Sequence, residues 1–237
     1  MPHTSVKAEI VSRRDITQDL MIVRLRPEAP FPFAPGRHVI IQDSEDPKLK
    51  RAYSIASAPH EDTLELFIEL FEDGKLTPKL WKLRAGDAVT LFNNRGMGRF
   101  LFEPAYRNQV MVATVTGVAP FVSMVRMLSG CGFYRFYIFQ GASYHDEFGF
   151  DHVLSQFKDV VYIPTVSQEN KPRNAGWQGE TKRVNLRVED FLARHNLVPD
   201  NATMCYACGH GGMIADVRQR LEQKGWVVKY EEYFRNA

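Results

Sequence analysis

Two short stretches of the chain set chemistry-bearing side chains side by side. In Arg51-Ala52-Tyr53-Ser54 a guanidinium, an aromatic ring and a hydroxyl fall within four residues. An arginine can hold a phosphate oxygen bidentately, and an aromatic face can lie against a flat apolar ring. The small hydroxyl beside it can hydrogen-bond the ring's polar edge. Gly74-Lys75-Leu76-Thr77 follows, with Thr77 placed to cap a helix and Pro78 to take its first position. The N–H groups at such a helix start suit a pyrophosphate. Together the two stretches describe a site for a planar ring joined to a pyrophosphate.

Two further stretches lie in the second half. Thr114-Val115-Thr116-Gly117-Val118-Ala119-Pro120-Phe121 follows a strand and opens a helix, which directs backbone N–H groups and a positive helix end toward a phosphate. Cys205-Tyr206-Ala207-Cys208-Gly209-His210-Gly211-Gly212-Met213 contains a Cys-x-x-Cys. Residues three apart on a strand point to opposite faces, and no second cysteine pair completes a zinc site, so no metal is expected. Cys205 reads as a core residue.

The elements that must position these residues change character along the chain. Val6–Val11, Met21–Arg26, His38–Gln42, Leu64–Leu70 and Ala88–Phe92 read as short strands between Pro- and Gly-rich turns, with one helix at Thr77–Leu83. That spacing predicts a closed antiparallel barrel. After Glu103-Pro104, strands at Gln109–Thr114, Arg135–Gln140, Val160–Val166, Thr203–Ala207 and Trp226–Tyr230 alternate with helices. The helices are expected at Pro120–Leu128, Phe148–Phe157, Val188–His195 and Gly212–Lys224. This alternation predicts an α/β domain on a parallel sheet. The expected domains are residues 1–104 and 105–237, with the site in the cleft between them.

Composition narrows the function classes. The chain has 237 residues, 44% hydrophobic and 24% charged, enough for two domains with real cores. Thirty basic against 28 acidic residues leave a net charge of +2, which argues against a general nucleic-acid binder. Three cysteines are too few for an internal four-cysteine iron–sulfur cluster, so any such cluster belongs to another protein. The N-terminus lacks a signal-peptide core and no apolar run reaches membrane length. A soluble, cytoplasmic protein without a membrane partner is expected.

RAYS together with DGKLTPKL resembles the ferredoxin–NADP reductase family, particularly its bacterial branch, and the similarity runs over nearly the whole chain. The resemblance implies bound FAD, contacted by Arg51, Ala52, Tyr53, Ser54, Lys75, Leu76, Thr77 and Thr116. Phe67, Ile68 and Glu69 would lie along the flavin, with Ser54 near its N5. The Thr114–Phe121 segment resembles the family's GTGxAPF, with Val115 where the first glycine usually stands. Cys208-Gly209 matches the family's CG, which places Cys208 beside the nicotinamide and Thr116, Gly117, Gly209, His210 and Gly211 on the dinucleotide. Tyr233 or Phe234 would cover the flavin, although an aromatic closing the last strand reads the same way. Glu232 matches an acidic position credited with proton handling, and an exposed glutamate is the simpler reading.

The implied nicotinamide is NADP(H), with NAD(H) left open. Family arginines that bind the 2′-phosphate are replaced by Ser143 and by Gln168, within Ser167-Gln168-Glu169. Lys171, Arg173, Lys182 and Arg183 lie in the same loop region and could substitute. The implied partner is ferredoxin, flavodoxin or another iron–sulfur carrier. Lys48, Lys50, Lys75, Lys79, Lys82, Arg84, Arg95 and Arg99 supply basic groups for an acidic protein. Two other readings remain: an NADH-dependent reductase component of a multicomponent oxygenase, and a non-catalytic subunit that binds FAD or a partner.

Overall fold

A computed structural model describes residues 5–93 and 100–232. Residues 5–93 carry one six-stranded antiparallel sheet. Its strands are β1 (Ser5–Asp15), β2 (Leu20–Pro27), β3 (His38–Gln42), β4 (Lys50–Ser54), β5 (Leu64–Glu69) and β6 (Ala88–Asn93). Their order is β4-β3-β6-β1-β2-β5. The two edge strands meet: Ile55, just past β4, bridges antiparallel to Leu66, and Ala56 N–H donates to the Glu65 carbonyl at 2.8 Å. The sheet therefore curls toward a barrel and removes an edge where β4 would otherwise lie open. Its interior is aliphatic, with Ile10, Val23, Leu25, Val39, Ile41 and Leu91 all buried.

A single helical turn, α1 (Thr77–Leu80), sits beyond β5. It is shorter than the sequence suggests, and Leu76 rather than Thr77 is its N-cap. The Thr77 hydroxyl accepts from Phe71 N–H at 3.0 Å and donates to Phe71 O at 3.1 Å. It closes the 71–77 loop on itself instead of capping.

The second unit is a parallel sheet. Its strands are β7 (Asn108–Thr114), β8 (Arg135–Ala142), β9 (Val160–Val166), β10 (Glu180–Thr181), β11 (Thr203–Gly209) and β12 (Val228–Glu232). Their order is β10-β9-β8-β7-β11-β12, so the chain reverses direction across the sheet between β7 and β11. β11 is buried at every position, as a central strand covered on both faces must be. Helices α2 (Ala119–Leu128), α3 (Asp151–Leu154), α4 (Val188–Arg194) and α5 (Gly211–Glu222) connect the strands. α3 is one turn where ten helical residues are expected. The preceding Phe148–Phe150 is held by contacts instead: Arg14 donates to the Gly149 carbonyl at 2.9 Å, and a Cβ on Gly149 would stand 2.9 Å from Phe67.

One apolar cluster runs across the junction of the two units. Leu20, Ile22, Ala56 and Phe67 from the first pack with Val118, Phe121, Phe150 and Cys208 from the second. Polar groups fix the register. Ser123 on α2 donates to the Ser57 carbonyl at 2.7 Å, and Arg126 on α2 pairs with buried Glu65 at 2.8 Å. Phe67 of β5 and Cys208 of β11 thus share one cluster.

Candidate functional site

The first wall of the site is the end of β4. Arg51 and Ala52 are exposed, Tyr53 is half-buried and Ser54 is buried. The hydroxyls of Tyr53 and Ser54 are both shut from solvent and have no hydrogen-bond partner among the described residues. A buried hydroxyl without a partner costs about 1–3 kcal/mol. Tyr53 packs on the first-sheet core and Ser54, next to it on the strand, faces the other way, and a flavin offers both a flat face and polar edges to such a strand end. Burial also raises the Tyr53 phenol far above its ordinary pKa, so it stays a donor.

Strand pairing connects this wall to the second sheet. Ser54 is aligned with His38 across β3 and β4. His38 Nδ1 lies 3.6 Å from Glu231 Oε1 on β12, and Glu231 is aligned with Cys208 across β11 and β12. Ser54 and Cys208, far apart in sequence, thus belong to one junction. Phe67 on β5 is buried there, whereas the neighbouring Ile68 faces the interior of the first sheet. Glu69 ends β5 and is partly buried. Desolvation, followed by the nearby charges of Asp19 and Glu147, pushes its carboxyl up to about 7.

The third wall is the tight turn Val115–Val118, which leads from β7 into α2 and contacts β5, β7, β8 and β11. A Cβ on Gly117 would stand 2.3 Å from the Cys208 carbonyl oxygen, so only glycine lets the turn lie on the end of β11. Gly209 is required twice over. Its φ is +125°, and a Cβ would fall 2.2 Å from Thr114 Oγ1, the atom that accepts from His210 N–H at 2.8 Å. Val115 has φ +41°. For a β-branched residue this is strained backbone, costing about 1–3 kcal/mol.

Beyond the turn lies a cavity of about 570 Å³ at the carboxyl ends of β7, β8, β9 and β11. Thr114, Val115, Ser143, Gln168, Arg183 and His210 are among its lining residues. This is the place where an open α/β sheet binds its ligand, beside the strand at which the chain reverses. Thr165 also lines it, and its buried hydroxyl has no partner among the described residues. The lining, rich in hydroxyl, amide and basic side chains, suits a nucleotide.

Comparison with known proteins agrees with this arrangement. The family model for the oxidoreductase FAD-binding domain matches residues 7–99, and that for the oxidoreductase NAD-binding domain matches residues 111–219. The chain thus carries the oxidoreductase FAD-binding and NAD-binding domains, and it resembles the ferredoxin–NADP reductases. A flavodoxin/ferredoxin–NADP reductase of Buchnera aphidicola subsp. Baizongia pistaciae (strain Bp) is 24% identical over 98% of this chain and 100% of the relative. A ferredoxin–NADP reductase of Pseudomonas aeruginosa is 28% identical over 83% of this chain and 81% of the relative. The crystal structure of a ferredoxin NADP+ reductase from Neisseria gonorrhoeae with bound FAD and NADP superposes with a TM-score of 0.84. It is 22% identical and covers 98% of this chain and 100% of that one, so it speaks for the fold.

The expected reductase residues do not all gather at the junction. Leu76 and Thr77 are buried, and exposed Lys75 precedes them on the loop that Thr77 ties to Phe71. Gly117, Cys208 and Gly209 meet directly, and buried Thr116 precedes Gly117 in the same turn. Ser143, Ser167, Gln168, Arg183 and His210 line the cavity. Arg173 does not line it. Its guanidinium forks onto Asp146 at 2.8 and 2.9 Å and lies 4.2 Å from the Tyr144 ring centroid. His210 has a further duty that the sequence does not announce: it N-caps α5, with Nδ1 accepting from Gly212 N–H at 3.1 Å. Glu232 is exposed, and a Cβ on Gly211 would meet its carboxylate at 2.2 Å, which puts the acid at the start of α5. Tyr233, Phe234, Arg95 and Arg99 lie outside the described residues.

Cys205 and Cys208 are both buried, and neither is in a disulfide. They join different clusters on opposite faces of the second sheet, which rules out a shared metal or a disulfide between them. Among the described residues no group of His, Cys, Asp and Glu could hold a metal ion, and no helix is long and apolar enough to cross a membrane. The residues that composition did not flag are Gln140 and Tyr162. Gln140 is a polar interruption in the apolar run of β8, and that interruption was the available signal.

Proposed function

We propose that this protein is an FAD-dependent reductase that moves electrons between NADP(H) and a one-electron carrier protein such as a ferredoxin or a flavodoxin. The observation that carries this reading is the buried Ser54 hydroxyl, without a hydrogen-bond partner among the described residues, at the junction that His38 and Glu231 link to Cys208. When bound, FAD supplies the exchange between two-electron hydride chemistry and single-electron transfer.

The chain's own groups bind, orient and exclude water. Arg51 and Lys75 hold phosphate oxygens, helped by the main chain at Ala52, Leu76 and Thr77. Tyr53 lies along the ring, Ser54 hydrogen-bonds near its N5, and Phe67, Ile68 and Glu69 flank it. Thr116 and Cys208 border the nicotinamide and keep that point dry. Gly117, Gly209 and Gly211 bring backbone close to the dinucleotide. Arg183 meets the 2′-phosphate, with Ser143, Ser167 and Gln168 as neutral hydrogen-bonding groups. The division at residues 104 and 105 separates the flavin half from the nicotinamide half. Exposed Lys48, Lys50, Lys82 and Arg84 suit an acidic carrier, whereas Lys79 is already paired with Asp43 and Glu45. We place the protein in the cytoplasm, where the free thiol of exposed Cys131 stays reduced.

One observation favours a second reading. Two cavity positions expected to be arginine are the uncharged Ser143 and Gln168. They suit an NADH-dependent reductase that serves an oxygenase through a separate iron–sulfur protein. Anaerobic stopped-flow reduction of the FAD-loaded protein separates the two. A larger kcat/KM with NADPH supports the first reading, and a larger value with NADH supports the second. Absence of flavin bleaching by either dinucleotide refutes both.

A further inference from the structure

Strained backbone persists where its surroundings over-determine it. Val115 is held on every side. Its carbonyl oxygen accepts from Gln140 Nε2 at 2.9 Å. Gln140 is fully buried, and its other amide atom, Oε1, accepts from the Tyr162 hydroxyl at 2.7 Å. The Val115 side chain packs on the Ala142, Phe148 and Val166 cluster. One residue earlier, Thr114 is tied to His210 N–H, and two residues later Gly117 rests on the Cys208 carbonyl.

The direction of this clamp matters. A trans, planar peptide points its C=O and N–H to opposite sides. Gln140 draws the Val115 carbonyl inward, so the N–H of the same peptide, which belongs to Thr116, points the other way. That N–H stands at the entrance of a tight turn, where donors have no partner within the turn. Val115, on the other side of that peptide, lines the cavity.

We propose that Tyr162 and Gln140 are positioning residues, which hold the Val115–Thr116 peptide in a left-handed turn and so present the Thr116 N–H to the nicotinamide dinucleotide. The inference rests on the reading of this cavity as the dinucleotide site. Tyr162 acts through Gln140 and touches no ligand. A glycine at position 115 would adopt the same φ unaided. Here a valine is forced into it, and the buried pair supplies the force.

The test is a double-mutant cycle on the FAD-loaded protein, with NADP+ dissociation constants measured by calorimetry. Tyr162→Phe keeps the ring and removes one hydrogen bond to Gln140. It should raise the constant roughly 5- to 10-fold, the worth of about one hydrogen bond, with the flavin content unchanged. In a Val115→Gly background the same substitution should change it less than about 2-fold, since glycine needs no clamp. Hydrogen–deuterium exchange over residues 112–121 should rise in Tyr162→Phe and stay at the parental level in the glycine background. Equal effects of Tyr162→Phe in both backgrounds, or none in the wild type, would overturn the proposal. A wild-type protein that binds neither NADP+ nor NAD+ would instead overturn the assignment of the cavity, and the proposal with it.

Discussion

Glu69 offers a test of how the junction is built. Its carboxyl ends β5, is desolvated, and faces the like charges of Asp19 and Glu147, which together push its pKa from 4.5 to about 7. The unfolded chain keeps the lower value. Between the two values the folded state therefore binds more protons than the unfolded one, and stability falls as pH rises through this window. The cost is absent below 4.5 and complete above about 7. At about 1.4 kcal/mol per pH unit, the interval amounts to about 3 kcal/mol at the upper limit. Glu69→Gln replaces the acid with a neutral group of the same shape. Urea unfolding of wild type and variant should give similar stabilities at pH 5. At pH 8 the variant should be more stable by about 2–3 kcal/mol. Carboxylates held low by partners, such as Asp43 beside Lys79 and Asp216 beside Arg220, are common to both proteins and cancel in the difference. The reasoning fails if the two stability profiles run parallel from pH 5 to 8, or if the variant is the weaker at pH 8.

Gly209→Ala should destabilise the protein by about 2–4 kcal/mol, from strained backbone at φ +125° together with loss of the Thr114–His210 hydrogen bond. A thermal midpoint within experimental error of wild type would contradict this. Ser54→Ala should leave FAD bound and slow single-turnover flavin reduction by about tenfold or more, as expected when one transition-state hydrogen bond is removed. An unchanged rate would remove Ser54 from the proposed chemistry.

How much of this was legible in the sequence depended on whether local or tertiary forces decided each element. The central strands were readable because burial on one or both faces imposes apolar runs, and His38–Gln42 and Val160–Val166 form as the pattern predicts. β4 was read as a motif and not as a strand, since Lys50-Arg51-Ala52-Tyr53 is mostly exposed and its partner β3 supplies the order. β10 spans two residues and exists through its pairing with β9. The long helix expected at Phe148–Phe157 yielded to the junction. Phe67, Ile22 and Arg14 hold Gly149, and their contacts outweigh helical propensity there. Cys205 and Cys208 behaved as strand geometry dictates, because a period of two needs no tertiary information.

The site shows the same division more sharply. Val115 was visible as a departure from a glycine. The backbone gives the deeper reason: the turn demands positive φ, and a glycine meets that demand without strain. Bulk alone would predict that valine narrows the cavity and little else. The φ of +41° instead predicts that other residues must hold the turn, and Gln140 and Tyr162 are found doing so. A local rule broken at this position is thus answered by a buried hydrogen-bonded pair two strands deep. Those hydrogen bonds tie the Val115–Val118 turn to β8 and β9, so the interior of the sheet helps set the shape of the turn.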